Sequence, residues 1–336
     1  MSVRTVTFGE IMLRLSPEGH KRFLQAEDFG AVYGGGEANV AVSLANFGCD
    51  ASFVTKLPDH DIGQAAINSM RRYGVDTSGV IRGGSRVGIY YLEKGASQRP
   101  SKVIYDRAGS SIAEAKADEF DWKKIFAGAQ WFHVTGITPA LSSEMAKATL
   151  EAVKTAREMG LTVSCDINYR KKLWDAETAG RVMSEICRYV DIYIGGRDQA
   201  SELFGIKTNA EDDNDMMCYK EAAKELADRF GFKKVAITLR TTLTSSDNRW
   251  AAMLYDGEGY FYSRSYDVRI VDRVGGGDSF CAGLIYALEE GMGSQETIEF
   301  ATAASCLKHT VEGDCNLVSV EEVKLLAGAG SAHVQR

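Results

Sequence analysis

The sequence of 336 residues is 45% hydrophobic and 25% charged, a composition typical of a globular protein with a sizeable core. Its net charge of −7 argues against a nucleic-acid or anionic-membrane partner, and no segment is long and apolar enough to span a bilayer. Seven cysteines are scattered along the chain without a Cys-x-x-Cys pair, which predicts reduced thiols in a cytoplasmic protein.

The N-terminal segment predicts a strand, a glycine loop and a helix. Partial alternation predicts one strand over residues 5–15, and residues 16–29 are polar and irregular. Gly34, Gly35 and Gly36 then precede a helix that ends near Gly48. The G-x-G-x-x-G spacing of a dinucleotide-binding loop is absent, so the glycines alone identify no ligand.

Two β-rich runs, residues 88–93 and 102–107, flank a polar stretch and predict a hairpin with a longer loop. Because this hairpin lies between segments of α/β character, we expect it to leave the main sheet.

From residue 131 onward, predicted strands alternate with predicted helices. The strands are 131–136, 161–166, 191–194 and 234–239, and the helices are 142–159, 178–188 and 215–230. This alternation predicts parallel pairing with helices on both faces of the sheet. Active sites of such sheets lie beyond the carboxyl ends of the strands, so Asn168, Arg170 and Arg240 are expected at the functional edge.

Near the C-terminus, Gly275, Gly276 and Gly277 precede a predicted helix that begins close to Asp278. A glycine loop at a helix N-terminus concentrates unpaired N–H groups, which suits a phosphate or a developing oxyanion. Asp278 either caps this helix or takes a proton from a hydroxyl beside the anion site.

Residues 272–283 resemble the C-terminal signature of the PfkB-type, ribokinase-like carbohydrate kinases, Asp-Thr-x-Gly-Ala-Gly-Asp-x-Phe-x-x-Gly. Arg273 replaces the usual Thr and Gly276 the usual Ala. The resemblance implies that Asp278 is the catalytic base and that the amides of the three glycines form the anion hole.

Gly34, Gly35 and Asn39 match the family's N-terminal signature, Gly-Gly-x-x-x-Asn. The resemblance implies that they bind sugar hydroxyls, although Asn39 is also explained as an ordinary residue of the helix. The family resemblance covers nearly the whole chain. It implies a ribokinase-like three-layer αβα sandwich that forms a single domain of residues 1–336. A small β lid is expected from two segments, about 17–34 and 87–108.

The substrate is indicated by residues 166–174, whose Asp-x-Asn-x-Arg-x-x-Leu-Trp pattern looks most like the 2-keto-3-deoxygluconate kinases of this family. Arg107 matches the lid arginine of the sugar-acid kinases. A guanidinium suits a carboxylate, so Arg107 and Arg170 are expected to bind one, unless each pairs with a structural acid. Tyr90 and Tyr105 are expected to contact the substrate, unless they are ordinary strand residues. The resemblance implies that Asp314 also contacts the substrate.

The resemblance also implies ATP with Mg²⁺ as the phosphoryl donor. The residues expected at ATP are Asn168, Thr238, Arg240, Gly275 and Gly277. After strand 191–194 the family usually has Asn-x-x-Glu, where this chain has Gly196 and Gln199. The missing carboxylate leaves the metal ligands open.

The sequence therefore predicts an ATP-dependent kinase that phosphorylates the terminal primary hydroxyl of a sugar acid, 2-keto-3-deoxygluconate above others. The alternatives are a kinase for fructose or a nucleoside, and a catalytically impaired member that only binds sugar. A homodimer or higher oligomer through the lid is expected, because exposed strand edges favour pairing.

Overall fold

The computed structural model describes residues 4–208 and 216–328 of the chain. The strands are β1 (Arg4–Phe8), β2 (Met12–Ser16), β3 (Gly30–Gly34), β4 (Asp50–Leu57), β5 (Val80–Arg82), β6 (Gly88–Glu93), β7 (Lys102–Asp106), β8 (Trp131–Thr135), β9 (Thr162–Asp166), β10 (Ile192–Gly195), β11 (Lys234–Thr242), β12 (Asp247–Tyr255), β13 (Tyr260–Tyr262) and β14 (Tyr266–Arg269). The helices are α1 (Gly36–Asn46), α2 (Asp61–Arg71), α3 (Trp122–Ile125), α4 (Ser143–Glu158), α5 (Ala176–Cys187), α6 (Arg197–Phe204), α7 (Met216–Phe230), α8 (Gly276–Glu289), α9 (Ser294–Lys308) and α10 (Val320–Ala327). None of the helices in the described ranges has the length and apolar character that crossing a bilayer requires.

The central sheet has ten strands in the order β13-β12-β11-β10-β9-β8-β1-β4-β5, with β14 also paired to β12. Pairing is parallel from β11 to β5, as the alternation of strands and helices predicts. The three strands at the β12 end pair antiparallel and were not assigned from the sequence. The sheet is therefore mixed.

Helices cover both faces of this sheet and form two separate apolar cores. On one face, Met145, Ile186 and Leu226 from α4, α5 and α7 pack with the strands. On the other face, Leu44 of α1 and Phe280 of α8 belong to a second core. The predicted three-layer αβα sandwich is confirmed.

A second, four-stranded sheet in the order β3-β2-β6-β7 is hereafter called the lid. The predicted hairpin forms its β6 and β7, with Glu93 opposite Lys102. The single strand predicted over residues 5–15 is wrong. The chain leaves the central sheet after Phe8 and joins the lid at Met12. Alternation continues through both halves, and a period of two does not reveal which sheet a strand joins.

The remaining predicted elements are present with shifted ends. Strand β11 continues to Thr242, beyond the predicted end at residue 239. Helix α7 begins at Met216, and the predicted first residue, 215, lies outside the described residues. Parallel strands β1, β8, β9, β10 and β11 all run toward the same edge, which is where the candidate site lies.

Candidate active site

A cavity of about 550 Å³ lies between the carboxyl edge of the central sheet and the lid. Every predicted site residue except Gly276 lines it: Gly34, Gly35, Asn39, Tyr90, Tyr105, Arg107, Asn168, Arg170, Thr238, Arg240, Gly275, Gly277, Asp278 and Asp314. Residues from both ends of the chain therefore meet in one space.

The N-terminus of α8 forms one wall of this cavity. Gly275 has a φ of +81°, and a Cβ there would overlap the carbonyl oxygen of Asp314, so only glycine fits this turn. The N–H groups of Gly277 and Asp278 belong to the first turn of α8, where no intrahelical acceptor exists. These donors and the helix dipole favour an anion in the cavity.

Gly276 differs from its two neighbours. It is buried, and a Cβ there would collide with the ring of His309. Its N–H donates to the carbonyl oxygen of Arg273 at 3.4 Å, and its own carbonyl accepts a hydrogen bond from Ser305 at 2.7 Å. Gly276 therefore fixes the turn behind the cavity wall, and the part of its amide in an anion hole stays a prediction.

The carboxylate of Asp278 lies at the centre of the site. Asn39, on α1, donates from Nδ2 to Asp278 Oδ2 at 2.7 Å, across 239 residues of sequence. Burial raises the pKa of Asp278 to about 7, and the nearby Asp166 carboxylate adds to the rise. The Asn39 hydrogen bond and the Arg170 charge oppose it. Such a pKa suits a general base that works near neutral pH.

Asp166, the last residue of β9, begins the Asp-x-Asn-x-Arg pattern, and no role was assigned to it from the sequence. Burial raises its pKa to about 6, and the charge of Arg170 opposes the rise. Asn168 adopts a φ of +36° and donates from its backbone N–H and from Nδ2 to the Asp166 carboxylate, at 3.1 and 3.2 Å. The strand end thus presents an acid, an amide and an arginine to one cavity. In the sequence, an acidic residue at the end of a predicted parallel strand was the feature that indicated a position at the active site.

Arg170 and Arg107 differ in what they contact. Among the described residues, no hydrogen bond or ion pair engages the exposed Arg170 guanidinium. Arg107, by contrast, donates from Nε at 2.8 Å and also from Nη2 to the buried carboxylate of Glu10. Ser110 donates to the same carboxylate at 2.6 Å. Of the two arginines, Arg107 therefore has the structural acid partner that was the alternative to binding a substrate carboxylate. Its Nη1 group has no hydrogen-bond partner in the described chain.

A buried ion-pair network underlies the lid and was missed by the sequence analysis. Arg14 donates to Asp314 at 2.7 Å and to Asp272 at 2.6 Å, and Tyr90 donates to the other oxygen of Asp314. A Cβ at Gly34 would overlap the Asp314 carboxylate, so the glycine allows this close approach. In the sequence, the charged Arg14 between apolar neighbours on a strand was the feature that indicated a buried ion pair.

The end of the cavity next to β11 and β12 carries further polar groups. Thr238 lies within β11, as the predicted strand 234–239 implies, and Arg240 also lies within β11, not beyond its end as predicted. Arg240 pairs with Trp250 of β12. Two buried polar atoms here, Asn248 Oδ1 and Trp250 Nε1, have no hydrogen-bond partner within the described residues. They leave unsatisfied polar positions next to the cavity.

The position of the missing Asn-x-x-Glu is occupied by a helix cap. The side chain of Gln199 accepts a hydrogen bond from the Gly196 N–H at 3.0 Å at the start of α6. Nearby Asp198 has a side chain that is 92% exposed and lies 3.6 Å from Arg197. In the described residues no group of three acidic, His or Cys side chains could hold a metal ion unaided.

The family model described as "pfkB family carbohydrate kinase" matches residues 4–321, almost the entire chain. The chain belongs to this family of carbohydrate kinases. The resemblance seen in the glycine signatures is therefore confirmed, together with the ribokinase-like fold and the kinase class.

Several relatives of this PfkB kinase are sugar-acid kinases by name. The crystal structure of a 2-dehydro-3-deoxygluconokinase from Thermotoga maritima is 49% identical, covers 98% of this chain and 99% of that chain, and superposes with a TM-score of 0.95. The 2-dehydro-3-deoxygalactonokinase of Haloferax volcanii is 33% identical over the full length of both chains. The 2-dehydro-3-deoxygluconokinase of Bacillus subtilis is 28% identical over 96% of this chain and 94% of its own length.

Proposed function

We propose that this kinase transfers a phosphoryl group from ATP to the terminal primary hydroxyl of 2-keto-3-deoxygluconate (2-dehydro-3-deoxygluconate), giving the 6-phosphate. The observation that carries the proposal is the Arg170 guanidinium, which makes no hydrogen bond or ion pair with the described residues and lines the same cavity as Asp278. The Thermotoga maritima relative, 49% identical, is a kinase for this compound by name.

Asp278 acts as the general base. Its carboxylate, with a pKa near neutrality, accepts the proton of the substrate hydroxyl as the oxygen attacks the phosphoryl group. The Asn39 amide holds the carboxylate in place at 2.7 Å. The N–H groups of Gly277 and Asp278 stabilise the charge of the phosphoryl group during transfer.

ATP binds along the remaining length of the cavity, against Thr238, Arg240 and Asn168. The Arg240 guanidinium offsets negative charge on the phosphates of ATP, in a chain that lacks the glutamate of the family's Asn-x-x-Glu. Mg²⁺ commonly binds through substrate phosphates and one or two carboxylates, and Asp166 offers a carboxylate on this wall. Bound in this way, the ion would neutralise charge on the phosphates.

The sugar acid binds between the lid and the central sheet. Tyr90 and Tyr105 are paired across β6 and β7, with ring centroids 6.1 Å apart, and both line the cavity. Arg170 binds the carboxylate of the substrate, and Arg107 contributes through Nη1. A neutral sugar offers neither arginine an ionic partner, which supports a sugar acid over fructose, ribose or a nucleoside.

The lid also supports a homodimer. Ile104 on β7 is exposed at 46% of its full area, and Leu24 and Phe29, in the connection between β2 and β3, are exposed at 96% and 40%. β3 and β7 are the edge strands of the lid and have free backbone groups to pair. All seven cysteines are free thiols, which supports a cytoplasmic location.

Phosphorylation assays over a substrate panel test the function. MgATP would be supplied with 2-keto-3-deoxygluconate, its galacto epimer, fructose and ribose, and kcat/KM measured for each. We expect the gluco acid to lead, with the galacto epimer as the second candidate because the Haloferax volcanii relative is named for it. Equal turnover of fructose or ribose would refute the sugar-acid assignment, and no turnover of any compound would favour a protein that only binds sugar.

A further inference from the structure

Arg273 lies in the loop before α8, two residues ahead of Gly275, and lines the cavity. Its Nη2 group donates to the backbone carbonyl of Ser245 at 3.2 Å. The adjacent acid, Asp272, is paired with Arg14 at 2.6 Å, and no ion pair joins the Arg273 guanidinium to a carboxylate of the described residues. A half-buried guanidinium without an acid partner requires a physical explanation, and the proposed mechanism does not use this one.

Arg240 lies in the same part of the cavity. It is opposite Trp250 of β12, whose ring lies 5.5 Å from that of His309, and all of these side chains line the cavity together with Arg273. Arg240 makes no hydrogen bond or ion pair with the described residues. Burial lowers the pKa of Arg273, and the charge of Arg240 lowers it further. Two guanidiniums that repel each other on one cavity wall suit an anion with more than one charge.

The direction of phosphoryl transfer decides which phosphates reach these arginines. In the proposed function the sugar acid lies between the lid and Asp278, at the part of the sheet where β1 leads into the lid. Arg240 is on β11, four strand spacings from β1, about 19 Å at 4.8 Å per strand. The attacking and leaving oxygens of the transferred group are roughly in line, so the leaving phosphates extend from the start of α8 toward β11.

We infer that Arg273 is a further catalytic residue, which together with Arg240 binds the phosphates of the donor that are not transferred. The bond from the transferred phosphorus to the bridging oxygen breaks, and its electron pair stays on the departing ADP. Because negative charge increases there during transfer, the two guanidiniums stabilise the transition state more than bound ATP. The Ser245 carbonyl holds one side of the Arg273 guanidinium and leaves Nη1 for a phosphate oxygen. The inference rests on the proposed transfer from ATP.

Calorimetry of nucleotide binding in EDTA tests this role without turnover. Arg273→Thr introduces the residue that is usual at this position of the family signature, and Arg240→Met keeps an unbranched side chain without charge. Each should weaken ADP and ATP binding alike, by about ten- to a hundred-fold, because a charge-assisted hydrogen bond is lost. Adenosine, which lacks phosphates, and the sugar acid should bind as they do to the wild type. Arg273→Lys should recover part of the loss, because an ammonium keeps the charge without the fork.

Turnover with Mg²⁺ provides a second readout. In Arg273→Thr we expect kcat to fall on the order of ten-fold or more and KM for ATP to rise, with KM for the sugar acid unchanged. Arg249→Met is the matched control, since Arg249 precedes Trp250 on β12 but binds the exposed Asp267 at 2.8 Å and does not line the cavity. It should change neither the affinity for ADP nor kcat.

Three results would overturn the inference. They are wild-type affinity for ADP in Arg273→Thr, a loss for ATP without a loss for ADP, which would place Arg273 at the transferred group, and an equal loss for adenosine, which would make Arg273 structural. Failure of the proposed function is a separate outcome. A wild type that binds ADP but phosphorylates no sugar acid would refute the substrate, and the affinities of the variants would still decide the role of Arg273. A wild type that binds no ADP would refute both.

Discussion

The hydrogen bond from Asn39 to Asp278 predicts a measurable shift in the pH dependence of the reaction. The base must be unprotonated, so kcat/KM of the wild type should fall below about pH 7, where burial sets the pKa of Asp278. Asn39→Ala removes a donor that stabilises the carboxylate at 2.7 Å. Without it the proton binds more tightly, the pKa rises, and the acidic limb moves to higher pH.

The size of this shift follows from the hydrogen bond. A bond to a charged group contributes about 1.5–3 kcal/mol, and one pKa unit corresponds to about 1.36 kcal/mol, so loss of the bond predicts a rise of about one to two units. Water in the cavity can replace the lost donor in part. We therefore expect the lower end, about one unit.

The assay is the pH profile of kcat/KM for the sugar acid between pH 5 and 9, a span of about two units on each side of the pKa. Asn39 is also expected to contact sugar hydroxyls, so the height of the profile will drop, and the position of the limb is the decisive quantity. Asn46→Ala is the matched control, since Asn46 lies on the same helix and its amide binds the carbonyl of Asn316 at 2.6 Å. An unmoved limb in Asn39→Ala, or an equal shift in Asn46→Ala, would refute the reasoning.

Three further predictions concern the base, the substrate and the assembly. Asp278→Asn should lower kcat by roughly 10²–10⁴-fold with sugar binding retained, because the near-isosteric amide cannot accept the proton; wild-type turnover would exclude Asp278 as the base. Arg170→Ala should raise KM for 2-keto-3-deoxygluconate about ten- to a hundred-fold, with Arg170→Lys recovering part and Arg249→Ala, a surface control paired with Asp267, changing nothing. An equal effect of Arg170→Ala on a neutral ketose would make Arg170 structural. Light scattering at micromolar concentration should show a dimer that Ile104→Glu weakens, and a stable wild-type monomer would contradict the proposed lid contact.

Local features of the chain were sufficient to predict most of the fold and the glycine turn before Asp278. The alternation of strands and helices after residue 131 reflects periods of 2 and 3.6 that each segment contains in full. The glycines before Asp278 predicted a turn that only glycine permits, and Gly275 has the positive φ that this requires. These inferences need no distant partner, which is why they hold in the structure.

What depends on distant partners was not available from the sequence. Arg14 meets Asp272 and Asp314 across 258 and 300 residues, and no local pattern specifies such a pairing. The same limit applies to the acid that Arg107 contacts, to the packing of Gly276 against His309, and to the change of sheet between Phe8 and Met12. The pKa of Asp278 belongs here as well, because burial and neighbouring charges set it, and both arise only when the cavity forms from segments far apart in the chain.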